Sequence, residues 1–337
     1  MHAELGLGAP GKYTFKAVCP GALCSSLLQQ GAWIGRRGLR VPKSALLEQG
    51  ATKTTENKIM IDLHTHSTFS DGTQTPEELV DEAVQLGLTA LALTDHDNTA
   101  GLPRFLSAAE GKPLRAIPGV ELSVNHQPGS MHMLGYFIRH DDPDLNERLI
   151  WIRSGRDKRN AAILKNLGNL GMALTHDEVA AMAGEDVIGR PHIAAAMVER
   201  GYVSDLREAF NRYLARGKPA YERRSVMDPV EGIRVIRHAG GVPVLAHPFS
   251  LQMEGRALRE LVKGLADSGL QGIEVYYPGH ARNTQDQLLH LARDFDLIAT
   301  GGSDYHGKTK PDLCLGRGFG SLNVPDDVVD RLENRRS

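Results

Sequence analysis

Residues of the types that bind metal ions follow one short apolar stretch after another along this chain. The first stretch leads into His64 and His66, and Asp71 follows five residues later. The later occurrences are Asp95-His96-Asp97, Glu121, His132, His247 and Asp304-Tyr305-His306. In an α/β barrel, functional side chains lie at the carboxyl ends of the strands, where they face one another. The pattern therefore constrains the fold to such a barrel, with ligand-type residues gathered at one end.

His64 and His66 are the first pair of candidate ligands. Side chains alternate across a β-strand, so these two histidines point to the same side and can offer two imidazoles to one ion. Taken alone the pair is weak evidence, because histidines near an apolar stretch are more often core or surface residues. The ligand-type residues at later strand ends favour the metal interpretation, since the alternative needs several coincidences.

Strand and helix patterns alternate from Met60 onward. A capping box from Thr75 to Glu78, with Pro76 in the first turn, predicts a helix that ends before Gly87. Strands are predicted at 89–93, 116–120, 242–245, 272–275 and 297–300. This order of elements predicts parallel strands, closed into a barrel.

The alternation lapses between about 145 and 231. Helical spacing is present at 145–167, 193–198 and 206–214, and a second capping box begins at Thr175. These features predict an all-helical insertion that leaves one barrel loop and returns before the strand at 242. Basic residues concentrate near its end, namely Arg212, Arg216, Lys218, Arg223 and Arg224.

Composition is that of an ordinary chain able to form a substantial core, with 337 residues and 41% hydrophobic content. Three cysteines are too few for a disulfide framework and lack zinc-site spacing, which predicts a reducing, cytoplasmic location. No apolar run approaches the length of a membrane span. The formal net charge of -2 argues against a broad nucleic-acid groove, and no DNA-binding module is evident.

Residues 1–59 stand apart from the rest. They carry eight Lys or Arg against three Glu, or +5, which leaves -7 for the remainder of the chain. We expect a basic, disordered N-terminal extension, with the catalytic domain at 60–337. A transit peptide and a basic arm for nucleic acid are the alternatives.

Five motifs carry a family resemblance. They are DLHTHSTFSDG at 62–72, ALTDHDN at 92–98, PGVELS at 118–123, AHP at 246–248 and GSDYHG at 302–307. Together they resemble the PHP family, named for polymerase and histidinol phosphatase, over about 60 to 320. The resemblance implies an α/β fold, a distorted (β/α)7 PHP barrel with an all-helical insertion domain.

The insertion and the motif Gly189-Arg190-Pro191-His192 are similar to one bacterial branch of that family. That branch removes the 3′ phosphate from 3′,5′-bisphosphonucleosides such as pAp, and it includes enzymes that trim short RNAs from the 5′ end. The expected function is therefore hydrolysis of pAp to AMP. The alternatives are a 5′-to-3′ exoribonuclease, a histidinol-phosphate-type phosphatase and a non-catalytic module.

The resemblance also implies a set of metal ligands and three divalent ions. The first ion would be held by His64, His66, Glu121 and Asp304, the second by Glu121, His132 and His247, and the third by Asp71, His96 and His306. Manganese is preferred, with zinc or iron as alternatives. Two ions sharing a carboxylate can lower the pKa of a bridging water from about 15.7 toward roughly 7, which makes a metal-bridging hydroxide the expected nucleophile.

Further residues receive roles by position. Glu121, Asp304, His247 and His192 are the candidate catalytic residues, and Arg190, His192 and Lys218 the candidate contacts to a phosphorylated nucleotide or a short RNA. Asp95 and Asp97 are expected to orient ligand histidines. Tyr276, Tyr277 and His280 are candidates either to stack on a base or to close the barrel top.

Overall fold

The computed structural model describes residues 60–183, 188–224 and 226–336. Its centre is one seven-stranded sheet in which the strands are hydrogen-bonded in chain order. The strands are β1 (Ile61–Asp62), β2 (Ala90–Leu93), β3 (Arg115–Val124), β4 (Met131–Tyr136), β5 (Val242–Leu245), β6 (Gly272–Tyr276) and β7 (Ile298–Gly301). The expected α/β barrel and its predicted strands are therefore confirmed.

The barrel is nearly closed by the segments that follow its first and last strands. The His66 amide donates to the Tyr305 carbonyl at 2.9 Å, and the Tyr305 amide donates to the His64 carbonyl at 3.3 Å. These two bonds pair the β1 end of the sheet with the β7 end. They also fix the backbone of the first histidine pair against the segment that carries Asp304.

The prediction of parallel strands is wrong for β4, which runs antiparallel to both β3 and β5. The connection from β3 to β4 spans only 125–130. A parallel crossover needs about a dozen residues or more, so a link this short forces a hairpin. The reversal places His132 on a strand that enters the site from the opposite direction.

Ten α-helices occur in the described parts of the chain. They are α1 (Pro76–Leu86), α2 (Leu102–Ala109), α3 (Pro143–Asn169), α4 (His176–Ala183), α5 (Arg190–Glu199), α6 (Leu206–Ala209), α7 (Pro229–His238), α8 (Gly255–Asp267), α9 (Arg282–Asp294) and α10 (Val328–Glu333). The predicted cap of α1 is present: Thr75 Oγ1 accepts from the Glu78 amide, and Glu78 accepts in return from the Thr75 amide. Gly87 ends the helix in the left-handed region, with φ 75°.

Helices α3 to α6 lie between β4 and β5 in the chain, followed by a π-helical turn at Phe210–Leu214. They have their own apolar cluster, which includes Ile163, Ile193 and Leu214 and is separate from the two barrel clusters. Helix α7 packs on the barrel instead, against β3, β4 and β5. The helical segment therefore forms a small core of its own beside the barrel.

Two expectations concern other parts of the chain. The predicted N-terminal extension, 1–59, lies outside the described residues. Within the described residues, no helix is long and apolar enough to cross a bilayer.

Candidate metal centre

The histidines and carboxylates singled out in the sequence converge at the carboxyl end of the barrel. Glu121, fully buried on β3, is at the centre of the group. Its Oε1 lies 2.8 Å from His132 Nδ1 and 2.9 Å from His247 Nε2. Its Oε2 lies 3.0 Å from His96 Nδ1 and 3.3 Å from the Nε2 atoms of both His64 and His66. One carboxylate thus faces five imidazoles that come from four different strands or strand ends.

Asp71, Asp304 and His306 complete the cluster. Asp304 Oδ1 lies 3.3 Å from His66 Nε2. Asp71 lies 3.3 Å from His306 Nε2 and 3.6 Å from His96 Nε2. The structure therefore brings together all of the residues proposed as ligands, although Asp71 and His306 are more than 230 positions apart in the chain.

Several polar atoms of the cluster are buried and lack a hydrogen-bond partner: His64 Nε2, His66 Nε2, His96 Nδ1 and Glu121 Oε2. Unsatisfied buried polar atoms are costly, and they need an explanation when they occur together. These atoms face a common space, and imidazole nitrogens with carboxylate oxygens form a donor set that suits divalent transition metals. The residues present therefore fit a metal centre.

Three overlapping groups have ligand atoms close enough to share an ion. They are His64, His66 and Glu121; His96, Glu121 and His132; and His66, Asp71, His96 and His306. The first group is the expected first ligand set without Asp304. The third group is the expected third set with His66 added. In the second, His96 stands where His247 was expected, but His247 also lies within 2.9 Å of Glu121.

The protonation of the cluster follows from its charges. Burial alone would raise the pKa of Glu121, but His96, His132 and His64 hold that pKa well below its ordinary value. Burial would lower the pKa of His66, yet Asp304 and Glu121 raise it to about 9. Positively charged histidines therefore stabilise the negative form of the carboxylates. A divalent cation can take the place of the protons that those histidines carry.

Two buried carboxylates support the cluster and were missed by sequence reasoning. Glu274 on β6 lies 3.0 Å from His64 Nδ1 and accepts from the His247 amide at 2.7 Å. With its proton on Nδ1, His64 donates to Glu274 and turns the lone pair of Nε2 toward Glu121. Asp62 accepts from the Ser303 amide and hydroxyl, which fixes the segment that leads to Asp304.

The cluster lies at the base of a cavity of about 500 Å³. Its walls include Gly189, Pro191 and His192 from the helical segment, and Phe249, Tyr277 and Lys310 from barrel loops. Its floor includes the candidate ligands Asp71, His96, Glu121, His132, His247, Asp304 and His306. A small polar substrate can therefore reach the candidate metal centre between the helical segment and the barrel.

Comparisons with known proteins agree with this geometry. The family model for the PHP domain matches residues 62–215. A 5′-3′ exoribonuclease of Haemophilus influenzae is 35% identical over 73% of this chain and 89% of its own length. A 3′,5′-nucleoside bisphosphate phosphatase of Chromobacterium violaceum is also 35% identical, over 73% of this chain and 87% of its own. The chain belongs to the PHP family.

The family likeness extends to solved structures. A structure described as a metal-dependent phosphoesterase from Bifidobacterium adolescentis superposes with a TM-score of 0.68 and 32% identity, covering 82% of this chain and 96% of that one. Together with the buried ligand-type cluster, this makes the protein a metal-dependent phosphoesterase of the PHP family. The nonenzymatic alternative raised by the sequence is thereby excluded.

In this PHP protein, Asp95 and Asp97 do not bind ligand histidines directly, contrary to expectation. Asp95 accepts from the Ser67 amide and from the hydroxyls of Ser67 and Ser70. It reaches His66 only through Ser70, whose Oγ lies 3.4 Å from His66 Nδ1. Asp95 therefore fixes the loop after β1 rather than an imidazole.

Asp97 instead binds arginines. Its carboxylate lies 2.8 Å from Arg156 on α3 and 2.6 Å from Arg224, and its carbonyl accepts from Arg153 at 2.6 Å. Burial alone would raise the pKa of Asp97, but Arg224 and Arg156 lower it from 3.8 to about 2. Asp97 thus joins the helical segment to the barrel beside His96.

We expect Asp97→Asn to destabilise the protein by about 2 kcal/mol at neutral pH, because it leaves two largely buried guanidinium groups without their carboxylate. Since the folded-state pKa is depressed, the stabilisation is present above about pH 4 and is lost as the pH falls toward 2. Denaturant unfolding of both proteins across this range measures the difference. The exposed Asp141→Asn is the control, and equal stabilities at pH 7 would contradict the assignment.

Arg156 and Arg224 belong to a larger arginine cluster that includes Arg159 and Arg190. Burial and the neighbouring charges of Arg224, Arg190 and Arg156 lower the pKa of Arg159 to about 9. Arg190 lies over the rings of Phe210 and Tyr221 and donates to the Leu214 carbonyl at 3.4 Å. Sequence reasoning missed Arg156 and Arg159 as site residues because they lie within a long predicted helix, where no local feature distinguishes them from other charged residues.

The three predicted substrate contacts have different positions. His192 lines the cavity, and its Nδ1 accepts from the Gly189 amide at 3.2 Å, which leaves the ring proton on Nε2. Arg190 belongs to the arginine cluster rather than to the cavity wall. Lys218 is exposed and is not among the residues that line the cavity. Of the aromatic candidates, Tyr277 lines the cavity, His280 is buried beside it, and Tyr276 packs against the barrel core.

Proposed function

We propose that this protein hydrolyses the 3′ phosphate of 3′,5′-bisphosphonucleosides, converting pAp to AMP. The observation that carries the proposal is the arginine cluster beside the candidate metal centre. Arg156 and Arg224 bind Asp97, the residue after His96, so the positive cluster adjoins the ligand group directly. A substrate with two phosphates places the scissile one at the metal centre and the other at the arginines.

The charge balance of the arginine cluster supports an anionic partner. Among the described residues, Arg156 and Arg224 pair with one buried carboxylate, Asp97, whereas Arg159 donates to Asn160 and Arg190 to the Leu214 carbonyl. Arg224 Nε is buried without a hydrogen-bond partner. A phosphate supplies the missing acceptors, since guanidinium groups bind it through paired charge-assisted hydrogen bonds. Histidinol phosphate, which carries an ammonium group, suits this surface poorly.

We propose the nine ligand positions of the sequence analysis as the metal centre, with Glu121 shared between ions. Bound divalent ions, of which manganese is preferred over zinc or iron, would supply a nucleophilic oxygen at neutral pH and neutralise the phosphoryl charge. Three ions per chain are consistent with the three overlapping donor groups. Glu274 and Asp62 lie behind the candidate ligands: Glu274 orients His64 and His247, and Asp62 fixes the segment that leads to Asp304.

His192 is the proposed proton donor to the leaving oxygen. His192 lines the cavity, and its Nδ1 accepts from the Gly189 amide, so Nε2 is the ring nitrogen that can carry and transfer a proton. In the proposed reaction the water oxygen forms a bond to phosphorus, the bond from phosphorus to O3′ breaks, and O3′ takes the proton. The products are AMP and inorganic phosphate.

A second candidate function follows from the same bond. If the phosphorus also carries the O5′ of a second nucleoside, breaking the bond to O3′ releases a 5′-mononucleotide and leaves a 5′ phosphate on the shortened RNA. This is a step of 5′-to-3′ exonuclease action, and relatives of equal identity are named for each activity. The open cavity above the ligands has room for either substrate.

The test is phosphate release from pAp by the purified protein, with manganese and with a chelator. A 5′-phosphorylated short RNA, 3′-AMP and histidinol phosphate are assayed in parallel. We expect manganese-dependent conversion of pAp to AMP, and much weaker turnover of 3′-AMP because it lacks the 5′ phosphate. Hydrolysis of histidinol phosphate in preference to pAp would overturn the proposal.

Glu274→Gln tests the proposed positioning of His64. We expect the apparent affinity for manganese to fall about 10-fold to 100-fold, as is typical when a partner of a ligand histidine is lost. Turnover at saturating manganese should be largely restored, because the ligands themselves remain. Manganese titration of activity and calorimetric binding measure the two effects. An unchanged affinity would assign Glu274 to packing alone.

A further inference from the structure

We propose that Phe249 and Tyr277 form a stacking surface for the base of the second nucleoside of an RNA substrate, the one attached to the scissile phosphate through O5′. The inference rests on the proposed function and adds a subsite to it. This subsite lies across the candidate metal centre from the arginine cluster. It would decide whether the enzyme handles a diester as well as a monoester.

Phe249 is the central residue of the surface. It is 53% exposed and lines the cavity. The other large apolar side chains that are exposed in the described residues do not line this cavity. A single exposed apolar side chain is ordinary on a surface, but here it lies at the mouth of a polar site. An aromatic face in that place is suited to a nucleic-acid base, because base stacking tolerates any sequence.

The surface is held rigidly beside the candidate ligands. Phe249 lies in a 3-10 turn, Pro248–Leu251, that begins directly after His247. Its ring centroid is 6.0 Å from that of His247 and 5.4 Å from that of Tyr277, with 33° between the Phe249 and Tyr277 planes. The Tyr277 hydroxyl donates to Asp304 at 2.9 Å. These contacts fix the two rings relative to the candidate ligands His247 and Asp304.

The direction of the substrate follows from the two carboxylate oxygens of Glu121. His96, directly before the arginine-binding Asp97, lies at Oε2, whereas His247, two residues before Phe249, lies at Oε1. A nucleotide with its 5′ phosphate at the arginines and its 3′ phosphate at the ligands thus continues toward Phe249. Lys310 also lines the cavity, 44% exposed and 2.9 Å from Asp304, and adds positive charge to it.

The experiment compares pAp with the dinucleotide pApA and with a form of pApA that lacks the second base. The proteins are the full chain, Phe249→Ala, Phe249→Leu and Phe249→Trp. For Phe249→Ala we expect kcat/KM on pApA to fall about tenfold, within the range for loss of one stacked base, and on pAp by less than about twofold. Phe249→Trp should retain activity on pApA, whereas Phe249→Leu should resemble Phe249→Ala.

The substrate without the second base separates stacking from structure. Removing the second base should lower kcat/KM about tenfold for the wild type and hardly at all for Phe249→Ala, because the stacking contact is already absent in that variant. Trp151 is an exposed aromatic residue on α3 that does not line the cavity. Trp151→Ala is therefore the control, and it should leave kcat/KM on both substrates unchanged. If Phe249→Ala lost the same kcat/KM on pAp and on pApA, the stacking surface alone would be overturned. The same would follow if the wild type hydrolysed pAp but not pApA. Wild-type inactivity on both would overturn the proposed function as well.

Discussion

Glu121→Gln is expected to lower kcat/KM on pAp by at least about 1000-fold, a loss of roughly 4 kcal/mol of transition-state stabilisation. The substitution keeps the shape of the side chain but removes its charge. Glu121 is fully buried and faces five imidazoles, so no other carboxylate in the described cluster can take its place between them. Steady-state kinetics with saturating manganese measures the effect.

Metal content and folding are checked on the same preparations. We expect bound manganese to decrease in Glu121→Gln while the far-ultraviolet circular dichroism stays that of the wild type, because the apolar barrel clusters are untouched. Asp304→Ala and His247→Ala should behave similarly. The exposed Glu110→Gln serves as the control for loss of one carboxylate. Full activity in Glu121→Gln would refute the proposed metal-based mechanism.

Arg159→Met is expected to raise KM for pAp by about 10-fold to 100-fold, the range for losing a charge-assisted hydrogen bond to phosphate. Turnover of 3′-AMP should change little, since that substrate has no 5′ phosphate to bind. Arg159 is the arginine of the cluster whose pKa is lowered to about 9, by burial and by three like charges. Among the described residues, its side-chain hydrogen bonds are to Asn160.

For stability without substrate, we expect Arg159→Met to be neutral or favourable, in contrast to its effect on KM. Removing one of several neighbouring positive charges relieves repulsion, so the melting temperature without substrate should stay equal or rise. Inorganic phosphate should stabilise the wild type more than Arg159→Met. Lys165→Met, an exposed substitution on the same helix, is the matched control. If 3′-AMP and pAp lost activity equally, Arg159 would have no role in recognising the 5′ phosphate.

Together these variants separate chemistry from recognition. Loss of Glu121 should affect every phosphate ester, whereas loss of Arg159 should affect only substrates with a second phosphate. Phe249 variants should affect only substrates with a second base. Three groups of side chains around one centre thus give three distinguishable kinetic patterns.

Much of the barrel and of the ligand cluster followed from local sequence. Short apolar strands, the capping box at Thr75 and the stop at Gly87 depend on interactions within a few residues. Most candidate ligands were also visible, because they lie at or after strands whose ends the sequence marks; His132, at the start of the antiparallel β4, is the exception. Parallel strands in a barrel bring such ends together whatever their separation in the chain.

Other features required the tertiary structure. No strand was predicted at Met131–Tyr136, so the six-residue link that forces a hairpin, and with it the antiparallel direction of β4, became visible only in the tertiary structure. Glu274 is an isolated glutamate in an apolar strand, and only its 3.0 Å distance to His64 Nδ1 gives it a role. Its one local signal was a carboxylate between Ile273 and Val275, where burial demands a partner.

The sequence by itself determined the barrel, the candidate ligands and the family resemblance, because strand ends, caps and ligand spacing are local properties. Only the tertiary structure decided the direction of β4, the partners of the buried carboxylates and the arginine cluster beside the site. Arg156 and Arg224 are 68 positions apart in the chain, yet they bind the same Asp97 oxygen. Such contacts depend on how the helical segment packs on the barrel, and no local pattern encodes that packing.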